Sequence, residues 1–260
     1  MFKTLEIERE GFIATIWMNR PERHNAFNAE VIAELTEAFS GLGADERARV
    51  VILAGRGKSF SAGADLNGMK AAGEVAFEDN LADANKLAQM LRSLAEMPKS
   101  TIARVHGAAL AGGMGLAAAC DICIASTQAS FATSEVRFGI IPCAISPYVL
   151  RAIGPRQASR YFLTAERIDA SKALQIGLVH TAVDASELDK AVRDITVALL
   201  TGGPEALAAA ELLIRYVTAK MVDDTLVQDT ARRIATLRMN AEAREGLGAF
   251  LDKRSPHWSV

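Results

Sequence analysis

The chain has 260 residues, half of them apolar, and sets 29 Lys and Arg against 31 Asp and Glu for a formal net charge of −2. That length and apolar content suit one large domain, or one domain with a small appendage. The interspersed charge leaves no basic arm for nucleic acid and no one-sided helix for a membrane surface.

Residues 3–18 read as a hairpin, with LEIE and FIATIW on either side of Glu10-Gly11. NRPERHNAF (19–27) is a polar loop, and Asn28 has the character of an N-cap before Val31, Ile32, Leu35, Ala38, Phe39 and Leu42 at helical spacing. VVILA (50–54) reads as a buried strand, followed by the small-residue stretch FSAGADLNGM (60–69). Residues 80–96 predict an amphipathic helix that stops before Pro98. The strand TIARV (101–105) leads to HGAALAGGMGLAAACD, and the strand DICIAS (121–126) leads to FATSEV. Strand, small-residue turn and helix thus recur with variation, which is an α/β pattern. From about residue 185 onward strand signal vanishes, and 204–217 and 222–251 read as helices, either a cap on the core or a tail for a neighbouring subunit.

The N-terminus MFKTLEIERE lacks the apolar core of a signal peptide. No run reaches the ~20 apolar residues of a membrane span. Cys120, Cys123 and Cys143 form no disulfide framework, so a cytoplasmic location is expected.

Several motifs fail on spacing. GKS (57–59) would need a glycine at 52, where isoleucine stands, so it is not a phosphate loop. Gly113-Met114-Gly115-Leu116-Ala117-Ala118 matches a dinucleotide fingerprint, but seven residues separate it from TIARV, and Glu135 lies well past the end of the next strand. Cys120 and Cys123 lack the further ligands of a zinc site, and Cys120 ends an Ala-rich helix, which favours core packing. His24, His106, His180 and His257 make no paired metal motif, and no G-x-S-x-G elbow is present.

Two stretches survive, FSAGADL (60–66) and LAGGMGL (110–116). Each follows a strand and clusters small residues, and the second opens a helix. A helix start carries free N–H groups and partial positive charge, and two N–H groups aimed at one point form an oxyanion hole. Close packing of turn on sheet explains either stretch taken singly. Glu135, in FATSEVRFG, lies between apolar stretches that would raise its pKa and suit it to acid/base work; a surface glutamate is the alternative.

Taken together, NRPERHNAFN, FSAGADL, HGAALAGGMGLAAACD, SEVRFGIIP and GLGAFLDKRSPHW resemble the crotonase superfamily, the enoyl-CoA hydratase/isomerase family, over essentially the whole chain. The resemblance implies an α/β crotonase-like (ClpP/crotonase) spiral of ββα units over 1–195 and a C-terminal helical region over 196–260. It also implies acyl-CoA substrates and a homotrimer or homohexamer. CoA would enter as part of the substrate, with no metal and no separate cofactor. The matching oxyanion donors are the N–H groups of Ala64 and Gly112, and the matching acid/base is Glu135. Matching positions for CoA are Arg23, His24, Ala62, Asp65 and Leu66, with Phe250 and Lys253 reaching CoA, often on a neighbouring subunit. Typical hydratases carry a second glutamate where this chain has Gly115. Single-glutamate members include Δ3-Δ2-enoyl-CoA isomerases, the alternative activity. SEVRFGIIPCAISPYVLRAIG is most similar to hydratases of branched, carboxylated substrates such as methylglutaconyl-CoA and carboxygeranoyl-CoA. On that reading Gly115, Arg137, Ser146 and Tyr148 border the acyl pocket, and one of the last three could hold a distal carboxylate. Some relatives associate with RNA, but the near-neutral charge argues against an RNA-binding or non-catalytic module.

Overall fold

The computed structural model describes residues 2–65, 75–218 and 220–259. The hairpin forms as expected, β1 (Leu5–Glu10) against β2 (Ile13–Met18), turning at Gly11. Asn28 caps α1 (Ala29–Ala44), its side chain accepting from Val31 N at 2.9 Å.

Three strand–strand–helix units follow. They are β3 (Val50–Gly55), β4 (Ser59–Ser61) and α2 (Phe77–Ala95); then β5 (Ser100–Val105), β6 (Ala108–Leu110) and α3 (Gly112–Ala119); then β7 (Ile122–Ser126), β8 (Ser130–Ala132) and α4 (Ser146–Thr164). The longer strand of each unit joins a six-stranded sheet of order β1-β2-β3-β5-β7-β10, with β10 at Thr181–Val183. The short strand joins a four-stranded sheet, β4-β6-β8-β9, whose last strand is Ile168–Asp169. The chain therefore winds through two sheets at once as a ββα spiral.

Strand alternation decides which side chain goes where. Val51 and Leu53 of β3, Ala103 and Val105 of β5, and Cys123 and Ala125 of β7 enter the larger core with α1, α2 and α3. Val50, Ile52, Ile102 and Ile124 point the other way, where Leu188, Val192 and Leu200 of α6 (Leu188–Thr201) cover them. Both faces of the parallel sheet are thus buried, which is why its strands read as continuous apolar runs. Burial pushes the Cys123 thiol up to about 12 and Cys120 well above its usual range, so this pair packs rather than reacts.

The boundary drawn at 195/196 falls inside α6, which is continuous and belongs to the core; the chain breaks instead at Gly202-Gly203. Beyond lie α7 (Pro204–Val217), α8 (Asp224–Arg238) and α9 (Ala241–Leu251). The helical stretch read over 222–251 divides at Asn240, which caps α9 by accepting from Ala243 N at 2.7 Å. Gly154, at φ 70°, and Pro155 interrupt α4. A further short helix is α5 (Ala170–Gln175). Among the described residues no single helix is long and apolar enough to cross a membrane.

Candidate active site

The site begins with the turn after β4. Gly63 sits at φ +83°, and a Cβ there would stand 2.7 Å from Leu110 O, 2.8 Å from Ala111 Cβ and 3.2 Å from Gly112 N. Glycine is what lets this turn lie directly on the Leu110–Gly112 backbone. The small residues of 60–65 therefore serve a backbone-to-backbone approach. Phe27 completes the contact, since a Cβ at Gly112 would stand 2.6 Å from its ring.

This approach leaves two N–H groups without protein acceptors among the described residues. Ala64 bridges Phe27, but the bridge's bonds run from Phe27 N to Gly63 O and from Asp65 N to Phe27 O, and Ala64 N is in neither. Gly112 is the first residue of α3, where N–H groups have no intrahelical partner. Ala111 before it is held at φ 48°, a region that non-glycine residues rarely adopt. Its N–H donates to Ala132 O at 2.7 Å, fixing the helix start to the end of β8.

Three residues beyond Ala132 comes Glu135, the first residue of a short 3-10 helix, Glu135–Phe138. The segment is held in place by Thr133 Oγ1 donating to Tyr161 O at 3.0 Å and by Ile140 N donating to Glu135 O at 3.3 Å. Its Oε2 is buried with no hydrogen-bond partner, and burial raises the carboxyl above its ordinary value.

Ala64, Gly112 and Glu135 all line one cleft of 920 Å³. The first loop contributes Glu22, Arg23, His24 and Phe27 to its wall, and the turn after β4 adds Ala62 and Asp65. From α2 come Asn80, Ala84 and Leu87. That helix starts at Phe77, earlier than its apolar spacing predicted, and Ala84 and Leu87 of its apolar stripe line the cleft while Met90, Leu91 and Leu94 enter the core. Phe138 and Ile140–Ile145 supply a further stretch of wall.

The other expected site residues fall differently. Asp65 lines the cleft, and it also forms an ion pair with Arg20 at 3.7 Å, which gives it a structural duty. Leu66 lies outside the described residues. Gly115, Arg137, Ser146 and Tyr148 are not among the residues that line the cleft. Gly115 is covered by Ile145, Arg137 is exposed, Ser146 Oγ donates to Cys143 O at 2.8 Å, and Tyr148 packs partly buried against the core. The turn at Gly139 (φ 74°) carries the chain around, so Phe138 and Ile140–Ile145 form the wall instead. Phe250 and Lys253 are exposed near the end of α9 and are absent from the cleft wall of this chain.

Sequence reading also missed Asn25. It is 2% exposed at φ 54°; its Nδ2 donates to Arg56 O, Ser59 O and Phe60 O, and its Oδ1 accepts from Arg20 N. That one amide moors the first loop to β4, and only its place in a loop of left-handed residues could have signalled it. Among the described residues no group of three His, Cys, Asp or Glu is placed to hold a metal ion.

Residues 8–260 match the family model described as enoyl-CoA hydratase/isomerase. The chain belongs to the enoyl-CoA hydratase/isomerase family. The fold agrees: an enoyl-CoA hydratase from Shewanella pealeana superimposes with a TM-score of 0.96 at 42% identity, covering 99% of this chain and 96% of that one. A short-chain-enoyl-CoA hydratase of Clostridium acetobutylicum is 32% identical over 95% of this chain and 94% of its own length. A crotonyl-CoA hydratase of Syntrophomonas wolfei is 30% identical over 99% of this chain and 98% of its own length. The protein is thus an α/β crotonase-type enzyme.

Proposed function

We propose that the protein is an enoyl-CoA hydratase, adding water across the 2,3-double bond of an acyl-CoA thioester. The observation that carries this is Glu135, whose buried Oε2 has no partner, lining the same cleft as Ala64 and Gly112. The carboxylate takes a proton from water as the water oxygen bonds to C3. The C2–C3 π electrons move toward the thioester, whose oxygen becomes an enolate held by the two N–H groups. Glu135 then returns the proton to C2. The reaction as written uses no metal and no redox group, and CoA arrives within the substrate. Arg23 and His24 stand at the cleft to receive its phosphates, with Ala62 and Asp65 beside them. Phe250, 80% exposed, and Lys253 fit a CoA contact made across a subunit boundary. Leu212, Ile214, Val227, Ile234 and Met239 of the C-terminal helical region are also exposed, which supports a homotrimer or homohexamer; a monomeric mass by light scattering would sink that assembly.

Glu135→Gln tests the mechanism. Loss of a general acid/base costs about 10²–10⁴-fold in rate, so kcat should fall at least about a hundredfold while acyl-CoA binding survives. Near-normal turnover would remove Glu135 from the chemistry. A second reading is a Δ3-Δ2-enoyl-CoA isomerase. It is favoured by Glu135 standing as the one carboxyl on the wall from Ser134 to Ile145, since one base suffices to move a proton between carbons. Offering 2-enoyl- and 3-enoyl-CoA in parallel separates the two: hydration consumes the conjugated thioester, and isomerisation produces it. The carboxylated substrate that Arg137 would hold draws no support from that residue's position outside the cleft wall.

A further inference from the structure

We infer that Ile145, interlocked with Gly115, is the residue that sets the size of the acyl group, and that the group it receives is uncharged and apolar. The inference rests on the reading of the cleft as an acyl-CoA site. Ile145 lines the cleft and is only 2% exposed, so most of its surface is spent inward. The reason lies in α3: a Cβ at Gly115 would stand 2.2 Å from Ile145 Cγ2 and 2.8 Å from Ile145 Cβ. The branch of Ile145 therefore occupies the very volume that a side chain at 115 would need. Shortening Ile145 opens a hollow over Gly115 that joins the cleft. Adding a methyl at 115 drives Ile145 outward into the cleft. The two positions act as one plug, movable in either direction.

The wall around the plug decides the chemical class. Phe138, Ile140 and Ile141 expose 58%, 48% and 66% of their surface and line the cleft, as does Leu87 of α2. Such a wall gains by covering hydrocarbon. A second carboxylate on the acyl group would lose water against these side chains and would share the wall with Glu135, a like charge when ionised.

Direct binding of saturated acyl-CoA thioesters by titration calorimetry tests this without any turnover. Butyryl-, octanoyl- and glutaryl-CoA are titrated into the wild type, Ile145→Ala, Gly115→Ala and Gly115→Ala/Ile145→Gly. One methylene in an apolar pocket discriminates by about 10–200-fold. Ile145→Ala should thus shift the octanoyl-to-butyryl affinity ratio toward octanoyl by about tenfold or more, and Gly115→Ala should shift it the other way by a similar factor. The double variant leaves as little side chain at the plug as Ile145→Ala does, so its ratio should match that variant's and reverse the effect of Gly115→Ala: the 2.8 Å clash with a Cβ at 145 is gone, and Cα at 3.7 Å is ordinary contact. Glutaryl-CoA should bind the wild type at least about tenfold more weakly than butyryl-CoA. An unmoved ratio in folded Ile145→Ala, or glutaryl-CoA binding as tightly as butyryl-CoA, overturns the inference even if Gly115→Ala fails to fold. Acyl-CoA binding with this selectivity but no hydration of 2-enoyl-CoA would leave the plug standing and sink the hydratase reading alone.

Discussion

Replacing Gly63 by alanine strikes the contact on which the proposed oxyanion hole depends. The residue sits at φ +83°, where an L side chain costs about 1–2 kcal/mol. Its new methyl would meet Leu110 O at 2.7 Å and Ala111 Cβ at 2.8 Å, both closer than real Cβ contacts allow. Overpacking of this kind costs about 1–3 kcal/mol, so the sum is about 2–5 kcal/mol. Each kcal/mol moves the melting temperature of a chain this long by about 2–4 °C, which puts the expected loss near 10 °C. The clash can relax only if the turn carrying Ala64 backs away from Leu110–Gly112, and that separates the two N–H groups. Loss of one oxyanion donor costs about 10²–10³-fold in kcat. The assay is the disappearance of the conjugated thioester absorbance of crotonyl-CoA, followed for kcat and KM at a temperature where calorimetry shows the variant folded. A fall concentrated in kcat is expected, because the donors act on charge that develops during reaction. A folded variant with wild-type kcat would refute the reasoning, since it would mean that the close approach of the two backbones has no part in the chemistry.

Two further predictions concern stability. Arg49 reaches through the core boundary to donate to Trp258 O at 2.6 Å, Leu200 O at 3.1 Å and Gly202 O at 2.6 Å, so it ties the C-terminal tail and the end of α6 to β3. Arg49→Ala should cost about 2–3 kcal/mol, the scale of a lost hydrogen bond to a charged group, read as an earlier denaturant midpoint; an unshifted midpoint would show the tie to be idle. Glu211 of α7 is raised to about 8, by burial first and then by the neighbouring Asp121, against the opposing charge of Arg215 at 2.8 Å. The folded state thus keeps a proton that the unfolded chain, near its ordinary 4.5, gives up. That stabilisation is complete below the unfolded value and drains away as pH rises toward the folded value. Melting temperature should therefore decline between these two values, and Glu211→Gln should flatten that decline; an identical slope in the variant would contradict the assignment.

Much of the fold was written in local pattern. The apolar runs of β3, β5 and β7, the Asn28 cap and the α1 stripe are short-range features that the sequence reports directly. The small residues of 60–64 and 110–116 announced that backbone would approach something. Periodicity is silent on long-range matters: that Gly63 meets Gly112, that Ala84 and Leu87 of α2 line a cleft, or that Asn25 holds the first loop against β4. The short strands β4, β6, β8 and β9 were too brief to show a period, so the second sheet came only from tertiary pairing.

The sequence by itself determined the chemical types: one acid set among apolar neighbours, two runs of small residues after strands, and a parallel-sheet core. Only the tertiary structure decided which of them share a cleft, and it placed Ile145 rather than Arg137 on the cleft wall. The physical reason is that side-chain direction within an element follows from its period, whereas the direction taken after a turn follows from what the turn packs against. At Gly63 that packing partner, the Leu110–Gly112 backbone, is many residues away along the chain.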